Sequence, residues 1–378
     1  MTRSPQPTAA PIVWMAGHWG LGGAQMGLVR LLENGLADGR EVTLIGAVPA
    51  AGHVLDRLPP LLRARIRLVD CGPPRRVMTY LRMLKQSYRA GTPDSLMFHS
   101  LFAAVILGRL LKLLGRGRRH VALGHMPLAF EPPWQRRLLA LTAPLCDHVA
   151  CDSEAVAASY RPLCQHHGIP CSILPLVGLP TRPPARIPRF DMEAPVKLLT
   201  VGRLVAEKNH TLLLDEAARL RDHGLPFHLT IVGDGPLRAP LLAQRRQLGL
   251  ESQVDLPGAT ADPDALLAQN VIYLQTSLVE GQCLTLVEAL SHGRPAVVAP
   301  VGGIRDYTRD GENCLWFDPQ QPGSLAAAVQ RLTADPALCA HLSRGALETV
   351  SQFFGTAKQR QALEALLQRL SADAGPAS

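Results

Sequence analysis

The chain has 378 residues, 47% hydrophobic and 19% charged, which excludes a disordered or low-complexity polymer and allows two cores of ordinary size. Its net charge of +8 is uneven: residues 1–190 hold 23 Lys and Arg against 10 Asp and Glu, and residues 191–378 hold 16 against 21. The resulting +13 in the first half points to an anionic partner, a membrane surface or a nucleic acid, with an arginine-favouring genome as the plain alternative.

Short apolar runs alternate with longer amphipathic stretches, the pattern of βα units and parallel sheets. Residues 11–16 read as a strand, 17–23 as a glycine-rich turn, 24–39 as a helix and 41–46 as the next strand. Further strands are predicted at 66–69, 96–99, 120–123 and 148–151. Seven prolines then fall between positions 170 and 195; that density suits neither helices nor central strands and predicts a linker over 179–195. Beyond it the alternation resumes, with strands at 196–201, 227–232, 254–256, 271–275 and 296–299 and helices at 211–221 and 239–248. The reading is an α/β protein with domains over 1–178 and 196–350 and a tail over 351–378, helical at 352–370.

The segment around Glu280-Gly281-Gln282-Cys283-Leu284 and Glu288 follows a predicted strand and opens a helix. Spacing predicts Glu280 at the helix N-terminus and Glu288 about two turns in, roughly 12 Å along the axis. Apolar neighbours at 286, 287, 289 and 290 predict a buried Glu288 in need of partners, and a carboxylate suits the vicinal hydroxyls of a ribose. Gly202-Arg203 and Lys208 follow the first strand after the linker, where a planar fork and a point charge five residues apart suit a diphosphate. The alternatives are a helix-start glutamate beside an unrelated surface one, and a solvated loop with a surface ion pair.

The Glu, seven residues, Glu pattern, followed by a small residue, Gly293 and Pro295, resembles the signature of family 4 retaining glycosyltransferases, and the resemblance runs through nearly the whole chain. It implies a GT-B fold, in which two Rossmann-like domains face each other across a cleft and a C-terminal helix crosses back to the first domain. By this resemblance Glu280 lies by the donor sugar, Glu288 binds the ribose, and Arg203 and Lys208 hold the donor phosphates. Gly233 and Gly235 resemble the family's turn beside the nucleotide base, Gly302 and Gly303 its last glycine pair, and Gly22 and Gly23 its amino-terminal glycine loop opposite the diphosphate. His125 stands where the family has a strand-end histidine beside the reacting sugar. His99 is a further candidate for the same cleft, and His18 and Trp19 are candidates for touching acceptor, with packing the commoner role for such residues. Three departures stand out: Gln282-Cys283-Leu284 where many members have Phe flanked by glycines, Leu176-Val177 in place of Asn-Gly, and Gln275-Thr276 in place of proline before Ser277.

The implied reaction moves a sugar from a nucleotide-diphosphate sugar to a lipid-linked or saccharide acceptor in cell-envelope or exopolysaccharide-type synthesis, with no cofactor and no metal. Asp262-Pro263-Asp264 reads as a helix start, not as a metal-binding Asp-x-Asp. The basic stretch over 107–119 suits either a solvated helix face or an anionic bilayer; no nucleic-acid partner is expected. Competing classes are a GT-B-type nucleotide-sugar epimerase, a non-catalytic nucleotide-binding protein of the same fold, and a dinucleotide oxidoreductase, for which no G-x-G-x-x-G fits. The eight cysteines form no CxxC pair and read as reduced thiols. Without a secretory leader pattern or an apolar run of about 18 residues, a cytoplasmic protein is expected, with the inner membrane face as its one peripheral location.

Overall fold

The computed structural model describes residues 9–20, 22–49, 54–73, 77–100, 102–117, 119–179, 195–260, 263–269 and 272–372. The chain divides into two compact units, one formed by residues 1–178 with 356–378 and the other by 179–355. The proposed linker, apart from Leu179 and Pro195, and Asp262 lie outside the described residues.

The first unit holds seven parallel strands: β1 (Ile12–His18), β2 (Val42–Ala47), β3 (Ile66–Asp70), β4 (Leu96–Ser100), β5 (Arg119–Gly124), β6 (His148–Cys151) and β7 (Cys171–Ile173). Their order is β3-β2-β1-β4-β5-β6-β7. The second unit holds β8 (Val196–Val201), β9 (Phe227–Val232), β10 (Val254–Gly258), β11 (Ile272–Gln275), β12 (Ala296–Val298) and β13 (Leu315–Trp316), in the order β10-β9-β8-β11-β12-β13. Strands such as IVWMAGH and AVV are buried on both faces because helices cover both sides of a parallel sheet. Leu229, Ile231 and Val297 are fully buried in the second core, and at about 1.5–3 kcal/mol each such side chains supply much of its stability. Strand order reverses between β1 and β4 in one sheet and between β8 and β11 in the other. In open α/β sheets the loops at such a reversal bracket the ligand crevice.

Several sequence expectations need correction. The short strands β7 and β13 were not anticipated; two or three residues carry too little pattern to register. The helix expected over 24–39 runs Gly23–Leu31 and passes into one π turn, Leu32–Leu36, where Gly35 takes φ +114. The tail helix spans Thr356–Ala372 and is separate from Pro336–Phe353, which ends at Phe354. Its Gln359 enters the first unit, where Asn34 Nδ2 donates to Gln359 Oε1 (2.5 Å) and Gln359 Nε2 donates to the Pro175 carbonyl (2.8 Å).

The basic stretch over 107–119 is largely engaged internally. Arg109 is buried and donates to the Leu139 carbonyl (2.8 Å) and Thr142 Oγ1 (2.6 Å), while Lys112 and Arg119 both pair with Asp147. The apolar, cationic surface lies instead on the preceding helix, Val77–Ala90. Val77, Met78, Leu81 and Tyr88 are exposed there among exposed Arg82, Lys85 and Arg89, and Arg116 stacks over the Tyr88 ring at 3.9 Å. That helix contains no acidic residue. No helix of the described residues is long and apolar enough to cross a membrane.

Candidate functional site

At the reversal point of the second sheet, the loop after β8 carries Gly202, Arg203 and Lys208, and the loop after β11 carries Ser277, Glu280 and Gly281. The two loops are tied through backbone: the Leu278 amide donates to the Glu207 carbonyl (2.8 Å), and Thr276 Oγ1 donates to the Lys208 carbonyl (2.9 Å). This fixes Lys208 against Glu280, and Lys208 Nζ donates to Glu280 Oε1 at 2.5 Å. Glu280 is buried, and its Oε1 also accepts from Ser277 Oγ (2.6 Å) and Gln275 Nε2 (2.9 Å). Burial works against the Lys208 ammonium, but the neighbouring carboxylate outweighs that cost and holds its pKa above the ordinary lysine value. Removing either partner alone would strand a charge in a dry setting, at a cost of about 3–5 kcal/mol.

Glu280 precedes the helix by several residues. The helix spans Leu284–Ser291, capped by Cys283, and Glu288 is its fifth residue, about 6 Å from its first. The expected burial is thereby reversed. Glu288 is only half-buried, because Leu286, Val287, Ala289 and Leu290 take the faces turned to the core, whereas Glu280 is the enclosed carboxylate. Cys283 adopts a left-handed conformation, φ +56, one of two non-glycine residues among those described that do so. Burial, then the charge of Glu280, pushes its thiol up to about 12. The Tyr307 hydroxyl donates to the Gln282 carbonyl (2.9 Å), steadying that turn.

The glycines of this unit have local work. A Cβ on Gly233 (φ +150) would fall 1.8 Å from the Gly202 carbonyl oxygen, and one on Gly302 (φ +52) 2.0 Å from that of Glu280. They let the loop after β8 close on the loop after β9, and the loop after β11 on the loop after β12, backbone against backbone. Gly235 likewise packs on Leu204. Arg203 is exposed at the same strand end.

In the first unit Gly22 caps the helix Gly23–Leu31, and a Cβ on Gly23 would meet nothing within 4 Å. His18 is exposed, and its Nδ1 accepts from the Gly20 amide (3.2 Å). Trp19 is buried against Gly46, a packing role. His99 does not reach a cleft: it is fully buried, lies over Gly108 of the helix Phe102–Leu113, and has ring centroids 5.1 Å from His120. Burial, with the charges of His120 and Arg109 next, holds its pKa well below the ordinary histidine value. His125 follows β5, nearly buried, with Nδ1 3.7 Å from Asp152 Oδ2 and no hydrogen bond to either ring nitrogen among the described residues.

Sequence reasoning missed Gln275, Ser277 and Tyr273 as parts of this site. The first was noticed only as a departure from a family pattern. Glu216, another enclosed carboxylate, is satisfied by the amides of Gly323 (2.7 Å) and Ala326 (2.9 Å) at a helix start and needs no ligand. Among the described residues no group of three His, Cys, Asp or Glu side chains is placed to hold a metal ion.

The pattern of the glycosyl transferases group 1 matches residues 188–349, and that of glycosyltransferase family 4 matches residues 21–175. Over 157 residues the chain is 31% identical to the 2-deoxystreptamine glucosyltransferase of Streptomyces kanamyceticus, covering 41% of each. Over 163 residues it is 34% identical to a GDP-mannose-dependent alpha-(1-6)-phosphatidylinositol dimannoside mannosyltransferase of Mycobacterium tuberculosis, covering 42% of this chain and 41% of that one. The chain thus spans about two fifths of the length of these curated relatives. The structure of Anabaena HepE in complex with UDP-glucose superposes with a TM-score of 0.78 at 19% identity, over 95% of this chain and 99% of that one.

Proposed function

We propose, on the premise that the chain belongs to the family 4 glycosyltransferases of the GT-B fold, that it transfers a sugar from a nucleoside-diphosphate sugar with retention of anomeric configuration. The supporting observation is the Lys208–Glu280 pair at the reversal point of the second sheet, with Arg203 in the same loop as Lys208 and Glu288 on the helix that follows Glu280. In this reading Glu288 accepts from the ribose hydroxyls, and its partial exposure leaves it open to them. Glu280 accepts from the sugar, with the backbone of Gly281, Gln282, Cys283 and Leu284 beside it. Arg203 and Lys208 take the charge that grows on the departing diphosphate, aided by Gly202; Gly22 and Gly23 at the start of the helix Gly23–Leu31 are the first unit's own candidate for an anion. Gly233 and Gly235 shape the base side of the pocket. In the first unit His125 is the candidate catalytic residue, and His18 is the acceptor-side candidate once Trp19 and His99 are assigned to packing.

The acceptor hydroxyl attacks the anomeric carbon on the face from which the diphosphate leaves. The bond from carbon to phosphate oxygen breaks, and that oxygen takes the acceptor proton. No metal or cofactor is called upon. The exposed helix Val77–Ala90, with four apolar side chains among three cations, supports an acceptor presented at an anionic membrane surface, hence a lipid-linked one. A saccharide acceptor needs no such surface.

Screening UDP-, GDP- and ADP-sugars for binding and hydrolysis tests the reading, with Glu288→Ala as control. The expected result is tight binding of one class and loss of about tenfold or more in the variant. Binding of none, or binding unchanged in Glu288→Ala, would remove the donor-site assignment. Sugar appearing on an acceptor, as opposed to an epimerised sugar, separates transfer from epimerisation.

A further inference from the structure

Glu280 receives all of its described side-chain hydrogen bonds on one oxygen. Oε1 accepts from Lys208, Ser277 and Gln275, and Oε2 accepts from no described residue, while 8% of the side chain stays accessible. An ionised carboxylate only accepts, so the Ser277 proton must point to Glu280, and the Gln275 nitrogen must donate to both Ser277 Oγ (2.6 Å) and Glu280 Oε1 (2.9 Å). That leaves the Gln275 oxygen facing the hydroxyl of fully buried Tyr273, which donates to it at 3.0 Å and lies 2.9 Å from Thr285 Oγ1. The amide has one permitted orientation, set by Tyr273 on one side and a carboxylate on the other. Gln275 is buried and sits at the last position of β11, where the backbone is pinned to β12 by parallel pairing.

We propose that Gln275 is the positioning residue for Glu280, holding Oε1 so that Oε2 is the oxygen offered to the hydroxyls of the donor sugar. The inference rests on Glu280 as the donor-sugar ligand, and it adds the device that aims it. Three donors converge on Oε1 from separate places: the loop after β8, the loop after β11 and the strand itself. Rotation of the carboxylate would break all three, so Oε2 is held in one direction before any donor arrives, the preorganisation that makes a polar contact effective in catalysis.

The decisive variant is Gln275→Glu, which sets a second carboxyl against Glu280. The titratable groups facing that site are Lys208 from the loop after β8, Tyr273 from β11, Cys283 at the helix start and Tyr307 from the helix Ile304–Tyr307. Lys208 stays charged and the other three stay neutral across the assay range, so only the two carboxyls titrate there. At low pH the pair shares a proton and the new carboxyl can donate to Oε1 as the amide did; at high pH the two repel. On the nucleotide sugar that the wild-type protein turns over, UDP-glucose being tried first, Gln275→Glu is expected to lose about tenfold or more in kcat at pH 8 and to recover to within about threefold at pH 5.5, with KM little changed. A kcat profile parallel to wild type overturns the inference. Glu280→Gln at full kcat overturns the site reading beneath it, whereas an inactive Glu280→Gln with wild-type kcat in Gln275→Leu overturns this inference alone.

Discussion

His210 opens the helix His210–Asp222 two residues after Lys208 and is 2% exposed. Burial, with the charge of Lys208 second, lowers its pKa from 6.5 to about 4. The folded protein therefore keeps this imidazole neutral over a range in which the unfolded chain protonates it. Below 6.5 the unfolded state binds more protons, so stability falls with falling pH until about pH 4, where both states are charged; above 6.5 the effect is absent. Each pH unit inside that window costs about 1.4 kcal/mol, so moving from pH 7 to pH 5 withdraws about 2 kcal/mol from the second unit, a large share of a typical domain's stability. His210→Gln removes the titration and should flatten that part of the profile. Urea unfolding at the two pH values, followed by 19F signals of 5-fluorotryptophan-labelled protein, isolates the unit, because Trp316 is the one tryptophan between residues 179 and 355. Wild type and His210→Gln losing stability in parallel between pH 7 and pH 5 would refute the reasoning.

Gly233→Ala should cost about 3 kcal/mol or more in thermal unfolding, because its Cβ meets backbone, while Gly224→Ala (φ +74, nothing within 4 Å) should cost about 1 kcal/mol; equal costs would contradict the loop-packing account. Among the eight cysteines Cys171 is the least buried, and hydrogen bonds from Cys151 and then Cys164 hold its thiol low, so maleimide at pH 7 should label it first by peptide mapping, well ahead of Cys283. Labelling of Cys283 at a matching rate would count against this. The protein should sediment with vesicles only when anionic phospholipid is present, and the combined Arg82→Glu, Lys85→Glu, Arg89→Glu variant should stay in the supernatant; indifference to lipid charge removes the membrane reading.

Regular elements were legible where pattern and length agreed. The strands at 148–151, 196–201 and 227–232 appear with the bounds that alternation predicts, because the first is buried throughout and the other two bury one whole face. The candidate site was legible as a set of charged residues at strand ends, and less so as geometry. Which glutamate is enclosed depends on Lys208, 72 positions away in sequence from Glu280, and no local pattern encodes that distance. A strand-end histidine looked functional at position 99, yet the space that receives its ring is made by the missing side chain of Gly108 on another element. Gln275 was visible only as an exception, since the meaning of a buried amide lies in the acceptors around it.

The helix Thr356–Ala372 belongs to the first unit although it follows the whole second unit in sequence. On the ribosome, residues 1–178 emerge with the seat of Gln359 vacant and must wait for the whole second unit to be translated, roughly 10–35 s at ordinary elongation rates. During that interval Asn34 and the Pro175 carbonyl have no amide to meet. Vectorial synthesis thus makes the second unit the first able to finish folding, and leaves the amino-terminal one as the later and more chaperone-dependent half of the molecule.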